Sequence, residues 1–496
     1  MLGDAYNLLL STKGLILNAT AKAKKGILAS NDKSIIKKYE EWQNTREIIA
    51  KSYNLGASES RQKKVNLDSL ERVANSLEKE LSTKSKGFDE AFNTKIFNWK
   101  DIQKKLKDKE AAIEIVRLTL QTDTVVYAGF IIKKNVNAPE IVFLRNGFSM
   151  EEDLYFYKNS VKFKKEDKIT YKFFWQKFAE NLQGIERVYV APDGIYTQIN
   201  INTLLNTSTG KYVIDEIDVH SVTSTRDILN DAKVSTSNVA ILIGRPSYLI
   251  DNKLEKEYAD KTPIDLNDQK DNWLANAYFM DLPGTEAEVI AVEKILKKNY
   301  KTELYLGKDA TEERIKKAKN PAILHIATHG FFLPAAEKTD KDRATIGQSE
   351  NQPSNNPMLN SGIILAGITD YLKFEKNGEA KEDGLLSAYE VAGMTLENTE
   401  VMLSACETGL GKTQSGEGVY GLQRAFQLAG AQSIIMSLWK VDDEATKELL
   451  TTYHTEYATM KEKDKDKRQA FKIAQQKMKA KYPSPFFWGA FILIGN

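Results

Sequence analysis

Five short runs with mainly apolar residues, at 239–243, 304–306, 322–327, 399–405 and 433–438, alternate with helical patterns in the second half of this 496-residue chain. A strand that is apolar on both sides has to be covered on both faces, and interposed helices supply that cover. The expected fold class is therefore α/β, a mostly parallel sheet flanked by helices. Helical patterns fall near 285–296, 311–317, 385–392, 419–428, 442–457 and 467–480, with a last strand at 488–494. Pro283-Gly284-Thr285-Glu286 opens the first helix, with Thr285 as its expected cap and Glu288 three residues on as the capping-box partner.

Upstream, the period changes to strand at 111–120, 124–132 and 140–144, the first two suiting a hairpin through Gln121-Thr122-Asp123. Helices are expected near 151–162 and 170–182. A strand at 187–191 closes on Pro192-Asp193-Gly194, and another is expected at 213–222. This block holds no cysteine, and its histidine, His220, has no obvious partner in sequence. Residues 1–105 read as helix, with apolar stripes at Leu8, Leu15, Ile16 and Leu17, at Ile35, Tyr39, Trp42, Ile48 and Ile49, and at Leu67, Leu70, Val73, Leu77 and Leu81. Two or three long helices packed as hairpins are expected there. The helical pattern runs to the first residue, which leaves room for an N-terminal extension or a longer helical array. The expected domains are a helical region at 1–105, a block at 106–235 and a block at 236–496.

The formal net charge is only +2, so no global field favours nucleic acid or a membrane surface, and neither is an expected partner. The single cysteine, Cys406, excludes an intramolecular disulfide and a cysteine-based zinc cluster. No metal or cofactor is expected. The opening residues lack a basic segment before a long apolar run, and no apolar stretch approaches transmembrane length. The expected location is cytoplasmic.

Cys406 ends the strand at 399–405, just before a Gly-rich polar loop. In α/β folds that carboxyl edge holds reactive groups. The strand at 322–327 leads into Thr328-His329-Gly330. If the two strands are neighbours, His329 and Cys406 meet as a base and a thiol nucleophile. The competing readings are a small core cysteine and a histidine that caps a strand end. Gly330 has no side chain, so its N–H can approach a substrate oxygen. His325 reads as a buried structural histidine on the same strand face as His329. The segment 406–413 ends in Gly411-Lys412-Thr413, as a phosphate-binding loop does, but Cys406 replaces the first glycine and the helix starts late. Asp442 and Asp443 follow the strand at 433–438, where they either receive a basic substrate side chain or cap a helix. The polar, lysine-bearing loops at 335–360 and 372–384 lie between His329 and Cys406, as lids, cleavage sites or tolerated insertions.

His-Ile-Ala-Thr-His-Gly (325–330), Leu-Ser-Ala-Cys-Glu-Thr-Gly (403–409), Gly-Glu-Gly-Val-Tyr-Gly-Leu-Gln-Arg-Ala-Phe (416–426) and Ser-Leu-Trp-Lys-Val-Asp-Asp-Glu-Ala-Thr (437–446) resemble the CHAT family of bacterial caspase- and separase-like cysteine proteases. Leu282-Pro-Gly-Thr-Glu-Ala-Glu288, Pro485-Phe-Phe-Trp-Gly-Ala-Phe491 and, more weakly, Val190-Ala-Pro-Asp-Gly194 fit it too. The resemblance implies a caspase-hemoglobinase-like sheet over 236–496 and an inactive protease-like domain over 106–235. It implies His329 as base, Cys406 as nucleophile, and the backbone N–H groups of Gly330 and Cys406 as oxyanion donors. Asp442, Asp443, Trp439 and Glu417 form the expected substrate-binding set. The expected function is a cysteine endopeptidase acting on a protein substrate, controlled by self-processing or by an activating protein that engages the N-terminal helices. The alternatives are a catalytically silent protease-fold scaffold and, more remotely, a nucleotide binder.

Overall fold

The computed structural model describes residues 1–29, 32–54, 67–84, 97–121, 124–230, 235–251, 278–332, 357–374, 382–405, 412–414, 418–440, 442–462 and 465–495. The chain opens with helices α1 (Leu2–Thr12), α2 (Leu15–Ala29), α3 (Lys33–Asn54), α4 (Leu67–Lys84) and α5 (Trp99–Lys105). Then follow β1 (Glu110–Gln121), β2 (Thr124–Lys133), β3 (Glu140–Asn146), α6 (Gly147–Lys162), β4 (Arg187–Ala191) and β5 (Asp218–Ser221). Next are β6 (Val239–Pro246), α7 (Pro283–Leu296), β7 (Lys301–Gly307), β8 (Ile323–Ala327), β9 (Gly330–Phe332), β10 (Ser361–Ile364) and β11 (Leu385–Ser387). The chain ends with β12 (Glu400–Ser404), α8 (Leu422–Ala429), β13 (Ser433–Ser437), α9 (Asp443–Thr459), α10 (Lys467–Lys481) and β14 (Phe491–Gly495).

Among the described residues eleven strands form one sheet in the order β3-β2-β1-β4-β5-β14-β13-β12-β8-β6-β7, while β9, β10 and β11 make a small antiparallel sheet. The large sheet is mainly parallel, as the alternation of strands and helices predicts. β8, β12 and β13 are buried at every residue. Fully burying each of their large aliphatic side chains is worth about 1.5–3 kcal/mol. One apolar layer (Val289, Val292, Leu449, Leu450) covers one face under α7 and α9, and another (Leu422, Ala425, Phe426) covers the other under α8.

β14 is antiparallel to β13 but parallel to β5. β1, β4 and β5 therefore run opposite to β6, β7, β8, β12 and β13, and the carboxyl ends of the two groups lie on opposite edges of the sheet. On the first group's carboxyl edge, Lys13 from the end of α1 enters the core. Its Nζ donates to Glu114 Oε2 at 2.9 Å, to the Ile115 carbonyl at 3.0 Å and to the Ala191 carbonyl at 2.8 Å. Glu114 Oε1 accepts from Ser224 Oγ at 2.9 Å and from Thr225 N at 2.6 Å. Further along, α2 docks on α8 and α3 docks on the helical turn Ala388–Val391. Lys24 donates to the Ala392, Met394 and Leu428 carbonyls, and Arg46 lies over the rings of Trp42 at 4.4 Å and Tyr389 at 3.8 Å.

Several elements differ from expectation. Residues 213–222 are not one strand: Val213–Glu216 is a helical turn ahead of β5. The helix expected at 385–392 starts as β11, where Leu385 and Leu386 pair with β10, and only Ala388–Val391 is helical. At 419–428, Gly418–Tyr420 is a strand and the helix waits for Leu422. Pro485–Trp488 is helical, so the last strand begins at Phe491. In the N-terminal stripes Tyr39, Ile49 and Leu81 are buried, but Leu8, Ile48 and Val73 are exposed. His220 does have a partner: its Nε2 lies 3.0 Å from Asp218 Oδ2. Short apolar runs at helix–strand boundaries carry no period long enough to distinguish the two states.

Losing one partner of a buried ion pair strands the other charge in a low-dielectric site. Lys13→Ala is therefore expected to lower stability by roughly 3–5 kcal/mol, read from urea unfolding. Pairing it with Glu114→Leu is expected to recover only part of that loss, because Ser224 Oγ and Thr225 N then lose their buried acceptor.

Candidate active site

β8 and β12 are neighbours with Ala327 opposite Ser404, and the pairing continues one step further as Thr328 N donates to the Ser404 carbonyl at 3.1 Å. The two chain segments leave the sheet at one level. His329 follows Thr328. Cys406 follows Ala405, and both Cys406 and Glu417 lie outside the described residues. The Ala405 carbonyl accepts from Ser437 Oγ on β13 at 2.5 Å, which pins this exit against the next strand.

His329 is partly buried. Its ring packs against Tyr248 at 5.2 Å and Phe279 at 6.2 Å between centroids. Its Nε2 lies 2.8 Å from the Met280 carbonyl. A carbonyl only accepts, so Nε2 carries the proton and the lone pair sits on Nδ1. Burial lowers the imidazole's proton affinity below the ordinary histidine value. The bond to Met280 and the charge of Asp281 oppose this, and the charge of Lys440 reinforces it. The neutral ring is thus the resting form at neutral pH. Behind it, Thr328 Oγ1 donates to the Ile364 carbonyl at 2.6 Å, so Tyr248 donates its hydroxyl to Thr328 at 3.0 Å.

Gly330 begins β9 opposite Ile363, and Ile364 N donates to the His329 carbonyl at 2.9 Å. That bond places Gly330 at a non-hydrogen-bonded position, where N–H points away from the partner strand.

Asp442 caps α9, its Oδ1 accepting from Ala445 N at 3.0 Å. Asp443 touches Gly284, where any Cβ would lie 2.5 Å from Asp443 Oδ2. Partial burial, then the charges of Glu288 and Asp442, raise the Asp443 carboxyl's affinity for a proton, while Lys440 lowers it. Trp439 turns elsewhere: its Nε1 donates to the Phe486 carbonyl at 3.1 Å and its ring meets Tyr157 at 6.4 Å. His325 is fully buried, with Nε2 2.6 Å from Glu288 Oε1. Thr285 does not cap α7; its Oγ1 donates to the Leu282 carbonyl at 2.7 Å and accepts from Arg245 N at 2.9 Å, and Glu288 faces the core. Lys412–Gln414 is a strand paired with Gly418–Tyr420, not a loop entering a helix, which removes the frame a phosphate-binding loop needs. No group of three metal-ligating side chains occurs among the described residues, and no described helix is long and apolar enough to cross a membrane.

Sequence reasoning did not find Tyr248, Phe279, Met280, Asp281 and Arg245. Arg245 has a left-handed φ of 41°, unusual for a residue with a side chain, and bonds Asp281 and Glu286 at 2.7 Å each. Gly244-Arg245-Pro246 at a strand end was the one local signal available.

The chain belongs to the CHAT domain family, whose model matches residues 169–496. It is similar to Tetratricopeptide repeat protein 28 of Mus musculus, at 24% identity over 228 residues, 46% of this chain and 9% of that protein. The Homo sapiens protein of the same name is 24% identical over 305 residues, 59% of this chain and 11% of that protein. The chain thus spans about a tenth of these relatives. Among solved structures it is similar to a Saccharomyces cerevisiae separase–securin complex (8% identity, TM-score 0.42, 86% of this chain and 33% of that one). It is also similar to the Arg-specific cysteine proteinase gingipain R (10% identity, TM-score 0.35, 65% of each chain). Nothing functional rests on likeness at this level.

His454 stacks on His325 at 6.4 Å, and burial drives its proton affinity down to about 3. The unfolded chain binds this proton first as pH falls, so stability present above the ordinary histidine value is lost between there and about 3. A slope near one proton, about 1.4 kcal/mol per pH unit, is expected from this group in acid urea titrations. His454→Leu is expected to remove it.

Proposed function

We propose that this chain is a cysteine endopeptidase in which Cys406 is the nucleophile and His329 the base. The observation that carries the reading is the common exit of β8 and β12, with a neutral His329 already oriented by a backbone carbonyl and its Nδ1 left to accept a proton. In this reading Nδ1 takes the Cys406 proton and the thiolate attacks the scissile carbonyl carbon. The oxyanion is held by the Gly330 and Cys406 N–H groups. The protonated imidazole then protonates the leaving amine, and water hydrolyses the thioester. Once the proton has moved to Nδ1, the adjacent thiolate balances the imidazolium charge and offsets the burial that disfavours it.

Asp443 is the acidic side chain best suited to a basic P1 residue: it stands beside Gly284 with Lys440 near it, whereas Asp442 is spent on the helix cap. Residues 106–235 serve as non-catalytic support, since their strand ends face the opposite edge and are filled by Lys13 and Glu114. Control by a protein partner is supported by the docking of α2 on α8, the next described helix after Cys406 in the chain. Self-processing at 335–360 and 372–384 is the other route, and these segments lie largely outside the described residues. A cytoplasmic location accompanies this reading.

Cys406→Ala and His329→Ala are each expected to cut kcat/KM by on the order of 10³-fold or more, measured on any cleaved peptide. Near-native turnover in either variant would sink the mechanism. Across a P1 peptide library, Arg or Lys is expected to lead, and Asp443→Ala to lose that preference while Asp442→Ala mainly loses stability. Mass spectrometry of the incubated wild type against Cys406→Ala reads self-processing, which is expected only in the former.

A further inference from the structure

We propose that Glu288 is a positioning residue for the dyad, a single buried carboxylate that ties the strand leading to His329 to the strand leading to Cys406. The inference rests on the dyad reading above and adds to it the element that sets the spacing. Glu288 projects from α7 and is 2% exposed. Its Oε1 accepts from His325 Nε2 at 2.6 Å, and its Oε2 accepts from Ser404 Oγ at 2.8 Å. His325 lies on β8 four residues before His329, and Ser404 ends β12 two residues before Cys406. Helix α7 is itself held to a third strand, β6, through Thr285 and Arg245 N.

The surroundings make this bridge informative. Apolar side chains, Val289, Met402, Ile435 and Leu449, pack in the same layer. Apolar side chains there would fill the same space without the cost of burying a charge. Apolar contact, however, lets two strands slide by fractions of an ångström, whereas two charge-assisted hydrogen bonds from one rigid carboxylate fix direction and distance. Asp443 faces Glu288 from α9. His454 stacks over His325 from the same helix, with its Nε2 3.2 Å from Met402 Sδ. Around His329 itself stand Asp281, Lys440 and Tyr248.

Cys406 is the chain's only thiol, so alkylation of the full-length protein by iodoacetamide, followed by intact mass, reads that residue alone. Rates are taken from about pH 5 to 9, spanning the free-thiol value of about 8.5. The wild type is expected to retain reactivity well below that value, and His329→Ala to lose this low-pH arm. Glu288→Ala is expected to slow alkylation at neutral pH by about tenfold or more and to lose the same arm, since a shift of about 1 Å can cost on the order of 10²-fold. Glu288→Gln, which still has an acceptor and gains a donor for the same two partners, is expected to stay within about threefold of wild type, as a geometric role requires. A folded Glu288→Ala with the wild-type profile overturns the proposal, as does Glu288→Gln behaving like Glu288→Ala. Should Glu288→Ala not fold, Ser404→Ala, which removes only the arm on β12, decides in its place: a wild-type profile there overturns the brace. If the wild type lacks the low-pH arm and His329→Ala changes nothing, the dyad itself falls and the brace with it, a result distinct from the others.

Discussion

The candidate site depends on the parallel pairing of β8 with β12. Both strands are buried at every residue, so each backbone N–H and C=O has to be paired within the sheet. A slip of one residue would turn Leu324 and Ile326 out of their layer and drive His325 into it. The register is therefore strongly specified, and it places Thr328 beside Ser404 at the point where both chains leave the sheet. His329 then needs only local support: an aromatic wall from Tyr248 and Phe279 and one backbone carbonyl from Met280.

The reversal of strand direction at β14 divides the work. Its antiparallel pairing with β13 and parallel pairing with β5 join two groups of strands into one sheet while sending their carboxyl ends to opposite edges. One edge carries His329. The other carries a buried lysine–glutamate pair contributed jointly by α1 and β1. The N-terminal helices thus close one edge with Lys13 and lie beside α8 with Lys24. They are built into the molecule, not appended to it.

Long, repetitive features were legible in sequence. The buried strand runs, the β1–β2 hairpin, α7, α9 and α10 fall within a few residues of expectation, because burial on both faces and a helical period leave marks over many residues. The short pieces were not. Leu385-Leu386 carries no period, and only the presence of β10 alongside makes it a strand. Thr285 and Glu288 have the spacing of a capping box, yet Glu288 finds two buried donors that outcompete the helix end. Trp439 follows the right strand, yet its ring turns to Tyr157, a contact between segments far apart in the chain.

The sequence by itself determined the α/β class, the order of the strands that lead to His329 and Cys406, and the identity of the family motifs, because these follow from local residue pattern. Tertiary structure alone decided what surrounds His329 and what joins its strand to the next. Met280 and Tyr248 reach His329 across large sequence separations, and Glu288 spans a helix and two strands. A hydrogen bond between distant residues leaves no periodic trace in a single chain. Its partners become recognisable only when packing has excluded water and left each polar atom with one place to go.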